Sequence, residues 1–461
     1  MNLISKVLNR KAGCARLFFL LFLFLQTALS GYTQPSGGPY GPVDRFYETP
    51  QTGTVYFVAP GGDPNSPGTG LEAPTTIEAA VARVVTGDAI VMRGGVYRTG
   101  SMEFNQGITI QPYGDERPIL KGTLVADKWR PAGNNVWMTS WKRLFPAEPL
   151  PWWSRAMQTV RTPMHRFNSD MVFVDGRMLQ SAGWPGEVDE TTFYINYEEG
   201  LVYIGVDPAG RLVEITAHDS AFVRTAADVH GKSNDRKGPV IRGITFTQYA
   251  DRAIEIEGKR RFTVNEERTD EPYGPAEPGT YGREVIGTIL ENVTITYCSR
   301  VGGFFRGDGL VIRNSLISDT STEGIYIIGS SDVLLERNII RRNNMESFTG
   351  YFPAAVKIFN QSHRVTVRDN LILDNPTSSG VWYDVGNRDG VFVNNYVEDA
   401  TNGFFFEISR GVTVAGNVFV RCGHGIYILN AADARIYNNT FLDSTAAFDR
   451  NQRNAVADHF G

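Results

Sequence analysis

The sequence predicts an all-β protein built mainly as a solenoid of stacked coils, on three observations. Asparagines at 292, 314, 338, 370, 395, 417 and 439 fall in Val/Ile-rich strand-turn contexts at intervals of 22, 24, 32, 25, 22 and 22 residues. Self-similarity at such a period marks stacked structural repeats. An asparagine at the equivalent turn of each coil can bond backbone there and stack into a ladder. Strand segments in these repeats alternate apolar and outward residues, the period of a half-buried strand. Composition agrees, because 48 glycines and few long charged helical stretches point to strands and turns.

The elements follow in chain order. Lys6, Arg10, Lys11 and Arg16 precede the apolar run from Leu17 to Leu25, and Ala28 and Ser30 offer a small-residue cleavage site. That order is a secretory signal, so residues 1–30 are expected to be removed and the protein to be secreted or periplasmic. The run is short for a permanent membrane span. Residues 31–50, rich in Gly, Pro and Tyr, read as an irregular leader. Residues 51–122 read as an N-terminal cap and first coil: a strand at Thr54–Val58, a Gly/Pro/Asn turn from Gly61 to Gly70, then a helix over Ile77–Val85. Thr75 or Thr76 is its N-cap and Gly87 its end. A helix here would cover a coil end that otherwise exposes sheet edge and core together.

Residues 123–218 break the repeat and hold six of the seven tryptophans, Trp152, Trp153 and Trp184 among them. Alternating segments, with Asp175-Gly176 and Glu199-Gly200 as hairpin turns, predict an inserted antiparallel β-sandwich. The solenoid occupies residues 219–445. Extra residues at 263–283 and 341–353 are expected to form loops, which in solenoids often lie on the binding face. Residues 446–461 look weak as a cap, as expected of a truncated chain or one continuing into a partner domain. Cys298 and Cys422 stand five coils apart, roughly 24 Å at one strand spacing per coil, too far for a disulfide. The net charge of −5 gives no reason to expect nucleic acid.

Chemistry concentrates in one strand of each coil. Aligned on a glycine, the strands are Gly324-Ile-Tyr-Ile-Ile328, Gly380-Val-Trp-Tyr-Asp384, Gly403-Phe-Phe-Phe-Glu407 and Gly425-Ile-Tyr-Ile-Leu429. Strand side chains alternate faces, so the first and third residues after glycine point inward and the second and fourth outward. Asp384 and Glu407 then occupy the same outward position on adjacent coils, with carboxyls roughly 5 Å apart, near the spacing of retaining glycosidases. Two like charges so placed are mutually unfavourable, and aromatic neighbours replace the usual small polar ones. Both facts favour a site over a solvated face. In the preceding coil, Val356 and Ile358 inward put Lys357 outward, expected directly beside Asp384. A neighbouring cation favours ionised Asp384, and a neighbouring anion favours protonated Glu407, which suits a nucleophile and a general acid/base. Trp382, Phe405 and Tyr427, with Tyr326 before them, form an outward aromatic strip suited to packing on sugar rings. Arg388 and Arg410, just beyond the acids, are candidate substrate contacts. His363 and His424 read as ordinary surface residues.

Gly380-Val-Trp-Tyr-Asp384 followed by Phe406-Glu-Ile-Ser409 resembles a bacterial family of secreted parallel β-helix proteins, with a Lys in the coil before. The opening strand, turn, Ala-rich helix and strand are similar to those of the pectate lyase type. The acid pair, its spacing and the inserted sandwich look like retaining β-xylosidases of β-helix fold. The resemblance implies a right-handed parallel β-helix with an N-terminal capping helix and an inserted sandwich. It also implies a nucleophilic Asp384 and an acid/base Glu407 acting on a plant or microbial polysaccharide or oligosaccharide, with no cofactor. A second expectation is a polysaccharide lyase, with Lys357 as base and Ca²⁺ held by Asp384 and Glu407. Two carboxylates are few for a cation that takes six to eight oxygens. A third is a non-catalytic carbohydrate-binding protein.

Overall fold

A computed structural model describes residues 35–147, 163–256, 282–348 and 353–451. The expected signal, Trp152 and Trp153, nearly all of the 263–283 segment, residues 349–352 and the end of the tail lie outside the described residues.

The chain winds into a right-handed parallel β-helix with three sheets of 11, 10 and 10 parallel strands. One ten-stranded sheet, running from Met102–Phe104 to Ala446–Asp449, carries the outward acids and is called the site sheet below. The registers Val356↔Val381↔Phe404↔Ile426 and Ile358↔Tyr383↔Phe406↔Ile428 stack apolar residues into inward columns. All eight are buried in one continuous core. A polar atom admitted there is tied off: the Tyr383 hydroxyl donates to Val365 O at 3.1 Å.

Glycine opens the site-sheet strands because the coil corner is crowded. A Cβ on Gly380 would stand 2.6 Å from Gly403 O, and one on Gly403 would stand 2.6 Å from Phe419 Cδ1.

The capping helix spans Ile77–Arg83, with the Thr76 hydroxyl accepting from Ala79 N at 3.2 Å. It ends two residues earlier than expected, where Val84 turns to extended backbone (φ −55°, ψ 145°). Ile77, Ala80 and Val81 close the core at this end.

The segment from Thr123 to Thr216 forms two sheets of four and five strands around their own core of Val172, Ile215, Phe193, Val202 and Ile204. Pairing is antiparallel except between Gln180–Ser181 and Thr192–Asn196. Asp175 (φ 49°) and Gly176 (φ 79°) supply the left-handed pair of a two-residue hairpin.

The asparagine ladder is real from 338 onward and corrected before it. The backbone N–H of Asn338, Asn370, Asn395 and Asn417 each donates to the next rung's Oδ1, at 2.9, 3.0, 2.8 and 3.0 Å. Upstream the rung is Ser315, whose N–H donates to Asn338 Oδ1 at 3.0 Å. Asn314 (φ 47°) and Asn292 (φ 59°) sit one residue earlier, at the left-handed corner of their coils. Their side chains instead hold the leader: Asn292 Nδ2 donates to Val43 O at 2.8 Å, and Asn314 Nδ2 to Pro39 O at 3.3 Å. The leader thus runs as a strap along several coils, reaching from Gly114 to Arg337.

Both described cysteines are free and buried, and burial pushes Cys298 up to about 12 and Cys422 to about 11. Among the described residues no helix is long and apolar enough to cross a membrane.

Candidate active site

The strands Ser379–Asp384 and Asn402–Glu407 pair in parallel with Trp382↔Phe405 and Asp384↔Glu407. The two acids therefore share one outward column on adjacent coils, at a strand spacing of about 4.8 Å. Asp384 is 8 % and Glu407 3 % exposed, so both acids are buried rather than on a solvated face.

Lys357 stands elsewhere than expected. Its Cα partner is Trp382, and the residue in register with Asp384 is Phe359. Lys357 belongs to the next outward column, two residues away along the strand. Its side chain crosses that gap, and Nζ donates to Asp384 Oδ2 at 2.7 Å. The same ammonium lies 3.0 Å from the centroid of the Trp382 ring and 5.5 Å from that of Phe359. Both contacts are ones a cation makes with a π face.

Lys357 interrupts an aromatic column. On one side Phe304 and Tyr326 stack at 5.3 Å; on the other Trp382, Phe405 and Tyr427 stack at 4.6 and 4.8 Å. The rings face one another along the helix axis, and Trp382 and Phe405 are each 7 % exposed. This corrects the expected sugar platform: the strip offers ring edges, because its faces are spent on each other. His424 extends the stack, 5.0 Å from Tyr427, with Nδ1 3.0 Å from Asn402 Oδ1.

Arg388 and Arg410 are not brought to the acids. They pair with each other on the eleven-stranded sheet beyond the corner, and Arg410 Nε binds Asp433 at 2.7 Å. With Asp389, Thr413 and Arg435 they line a groove that includes neither acid.

A second ladder fixes the ends of the acid-bearing strands. Ser330 N donates to Ser362 Oγ (3.2 Å), Ser362 N to Asn387 Oδ1 (2.9 Å) and Asn387 N to Ser409 Oγ (3.1 Å). Asn387 Nδ2 also donates to Asp384 O at 2.9 Å, and Ser409 Oγ to Glu407 O at 2.8 Å. Each acid's backbone is therefore gripped two or three residues downstream, which gives Ser409 of the Phe406-Glu-Ile-Ser409 motif a structural task. The ladder was visible in the sequence, since 330, 362, 387 and 409 repeat the 32, 25 and 22 spacing of the asparagines.

The residues directly after the acids were not anticipated. Val385 (φ 59°) and Ile408 (φ 46°) occupy the left-handed region, where Asn360 and Asn430 serve in neighbouring coils. Asparagine tolerates that region, but a β-branched residue there is a strained outlier. Backbone strain of this kind gathers at functional sites.

Among the described residues no group of three or more His, Cys, Asp or Glu side chains is placed to hold a metal ion.

Residues 279–441 match the family described as right handed beta helix region. No curated protein matches the chain. Among solved structures, that of XylC with xylose is similar over 83 % of this chain and 70 % of its own, at 17 % identity and a TM-score of 0.51. One described as a glycoside hydrolase is similar over 88 % of this chain and 98 % of its own, at 12 % identity and a TM-score of 0.54. At these identities the likeness is one of fold.

Proposed function

We propose that the protein is a carbohydrate-active enzyme, a retaining glycoside hydrolase with Asp384 as nucleophile and Glu407 as general acid/base. The observation that carries this reading is the register Asp384↔Glu407 on adjacent coils, with Lys357 bound to Asp384. Adjacent outward positions put two carboxyls roughly 5 Å apart, the separation of a nucleophile and an acid/base flanking one glycosidic bond. The Lys357 ammonium, 2.7 Å from Asp384 Oδ2, fixes that carboxylate in place and balances its charge. Asp384 attacks the anomeric carbon while Glu407 gives its proton to the departing oxygen. Glu407 then takes a proton from the water that cleaves the glycosyl–Asp384 ester, and both acids return to their starting states.

The lyase alternative asks Lys357 to act as a free base. Its ammonium is instead engaged by a carboxylate and an indole face, both contacts of the charged form. The charged, apolar and small-residue order of the first thirty residues supports export, and the substrate proposed is an extracellular glycan of plant or microbial origin. The structural likeness to XylC with xylose makes xylosides the first compounds to try.

The test is a panel of nitrophenyl glycosides and polysaccharides, assayed for reducing ends and for unsaturated uronate absorbance, with and without chelator. Release of reducing sugar without unsaturation and without chelator sensitivity is expected. On the substrate found, Asp384→Ala is expected to lower kcat roughly a thousandfold or more. An unsaturated, chelator-sensitive product would assign the site to a lyase.

A further inference from the structure

We propose a second glycan-binding site, distinct from the acid pair, on the rim of the inserted sandwich, with Trp184 as its stacking platform. Trp184 is 58 % exposed and is the one tryptophan among the large exposed apolar side chains of the described residues. Its indole is presented by a built turn. Pro185–Glu187 form a single 3₁₀ turn, with Glu187 N donating to Trp184 O at 3.1 Å and Val188 N to Pro185 O at 3.3 Å. A Cβ on Gly186 would fall 2.1 Å from Trp184 Cζ3 and 2.2 Å from Cη2. Gly186 therefore supplies a flat backbone bed under one edge of the ring, and any side chain there would displace it. An indole held in this way is pre-organised, which lowers the ordering cost of a ligand stacking on it.

Polar groups converge on Gly183, the residue before Trp184. A Cβ on Gly183 would stand 3.1 Å from His165 Nδ1 and 3.3 Å from Glu187 Oε2, so both side chains meet at the residue before Trp184. Glu187 Oε2 accepts from Gly183 N at 2.9 Å, and Ser181 Oγ donates to His165 O at 3.1 Å, which ties the two segments together. Burial, reinforced by Arg166, holds the His165 imidazole below its ordinary titration range, so near pH 7 its ring offers one donor and one acceptor. Met164, 57 % exposed, is a further exposed apolar side chain in the same short 3₁₀ turn as His165. A largely exposed indole with neutral and acidic hydrogen-bonding groups at the preceding residue matches a pyranose ring, apolar on its C–H faces and ringed by hydroxyls. The arrangement contrasts with the aromatic column of the site sheet, whose faces are closed by stacking. The rim is also anchored to the helix: Gln180 Nε2 donates to Glu346 Oε2 at 2.9 Å, in the coil that leads to Lys357.

The inference rests on the reading of the chain as a glycan-acting protein, but not on hydrolysis, and the test separates the two. The doubly substituted Asp384→Asn, Glu407→Gln protein, which keeps an oxygen acceptor for Lys357 but is unable to turn over substrate by the proposed route, is run in affinity gels containing xylan, β-glucan or polygalacturonate. Retardation by at least one polymer is expected, and adding Trp184→Ala is expected to weaken it about tenfold, with partial recovery in Trp184→Tyr. Trp184 is largely exposed, so the variant's melting temperature is expected to match its parent's. Retardation unchanged by Trp184→Ala, or no retardation on any of the three polymers, overturns the site. Failure of wild-type turnover counts against the hydrolase and leaves this binding readout intact.

Discussion

At the scale of single residues the site depends on one buried ion pair. Lys357 and Asp384 have side chains only 6 % and 12 % exposed, and Lys357 Nζ also lies over two aromatic rings. Removing one partner of such a pair strands the other charge in a poorly solvated place. Lys357→Met, which keeps the packing of the stem, is expected to cost about 3 kcal/mol of stability. It should also reduce kcat/KM, because Asp384 loses the group that orients it. Denaturant titration and steady-state kinetics check the two effects, and an unchanged kcat/KM would show that Lys357 only packs. The sequence showed the two acids because glycine marks their strands and apolar alternation sorts their faces. It misplaced Lys357 by two residues, since Ala355 stands where other coils carry glycine. A slip of two leaves the inward and outward alternation intact, so the binary pattern cannot detect it. Val385 and Ile408 were invisible for another reason: nothing in a β-branched residue announces a left-handed backbone.

At the scale of elements, the coils are held by rungs whose side chains face the interior. Asn395 is the clearest: its Nδ2 donates to Val367 O at 2.9 Å and Asn417 Oδ1 at 3.1 Å, while its Oδ1 accepts from Asn370 N at 3.0 Å. Asn395→Ala leaves several buried groups unpaired and is expected to cost roughly 3 kcal/mol or more. Asn439→Ala, at the last rung and half-buried, is expected to cost distinctly less. Equal losses at both positions in thermal melts would contradict a ladder whose strength depends on burial. The rungs at 338 and beyond were legible from spacing alone. Asn292 and Asn314 misled because the left-handed corner, one residue before the rung, also selects asparagine.

The sandwich carries its own pH dependence. Asp170 is buried, and burial raises its carboxyl to about 6 although Phe145 N, the Tyr197 hydroxyl and the Thr216 hydroxyl donate to it. A group raised on folding contributes stability that is complete below its unfolded value near 4 and is lost as pH rises through about 6. Wild-type stability is therefore expected to fall by roughly 2–3 kcal/mol between pH 4 and 7 relative to Asp170→Asn, whose amide stays neutral. Parallel pH profiles for the two proteins would rule this out.

At the scale of the molecule, the helix is a scaffold and the sandwich an attached wall. Phe167 stacks on Phe348 at 4.9 Å, Arg300 donates to Phe167 O at 2.9 Å, and Phe173 meets Tyr297 at 5.5 Å. These contacts join residues more than a hundred positions apart and follow no repeat, so the sequence disclosed an inserted sandwich but not where it docks. The strap from Pro39 to Tyr47 escaped for the same reason, its partners being isolated side chains and backbone groups on distant coils.

The proposed nucleophilic role of Asp384 requires a covalent bond to the sugar, and trapping that bond tests it most directly. A 2-deoxy-2-fluoro glycosyl fluoride of the sugar that the enzyme turns over is incubated with the protein, which is then digested and its peptides are mapped by mass spectrometry. One fluoroglycosyl group on the peptide containing Asp384, absent in Asp384→Ala, is the predicted result. A label on Glu407, or turnover with inversion at the anomeric carbon and no label, would contradict it.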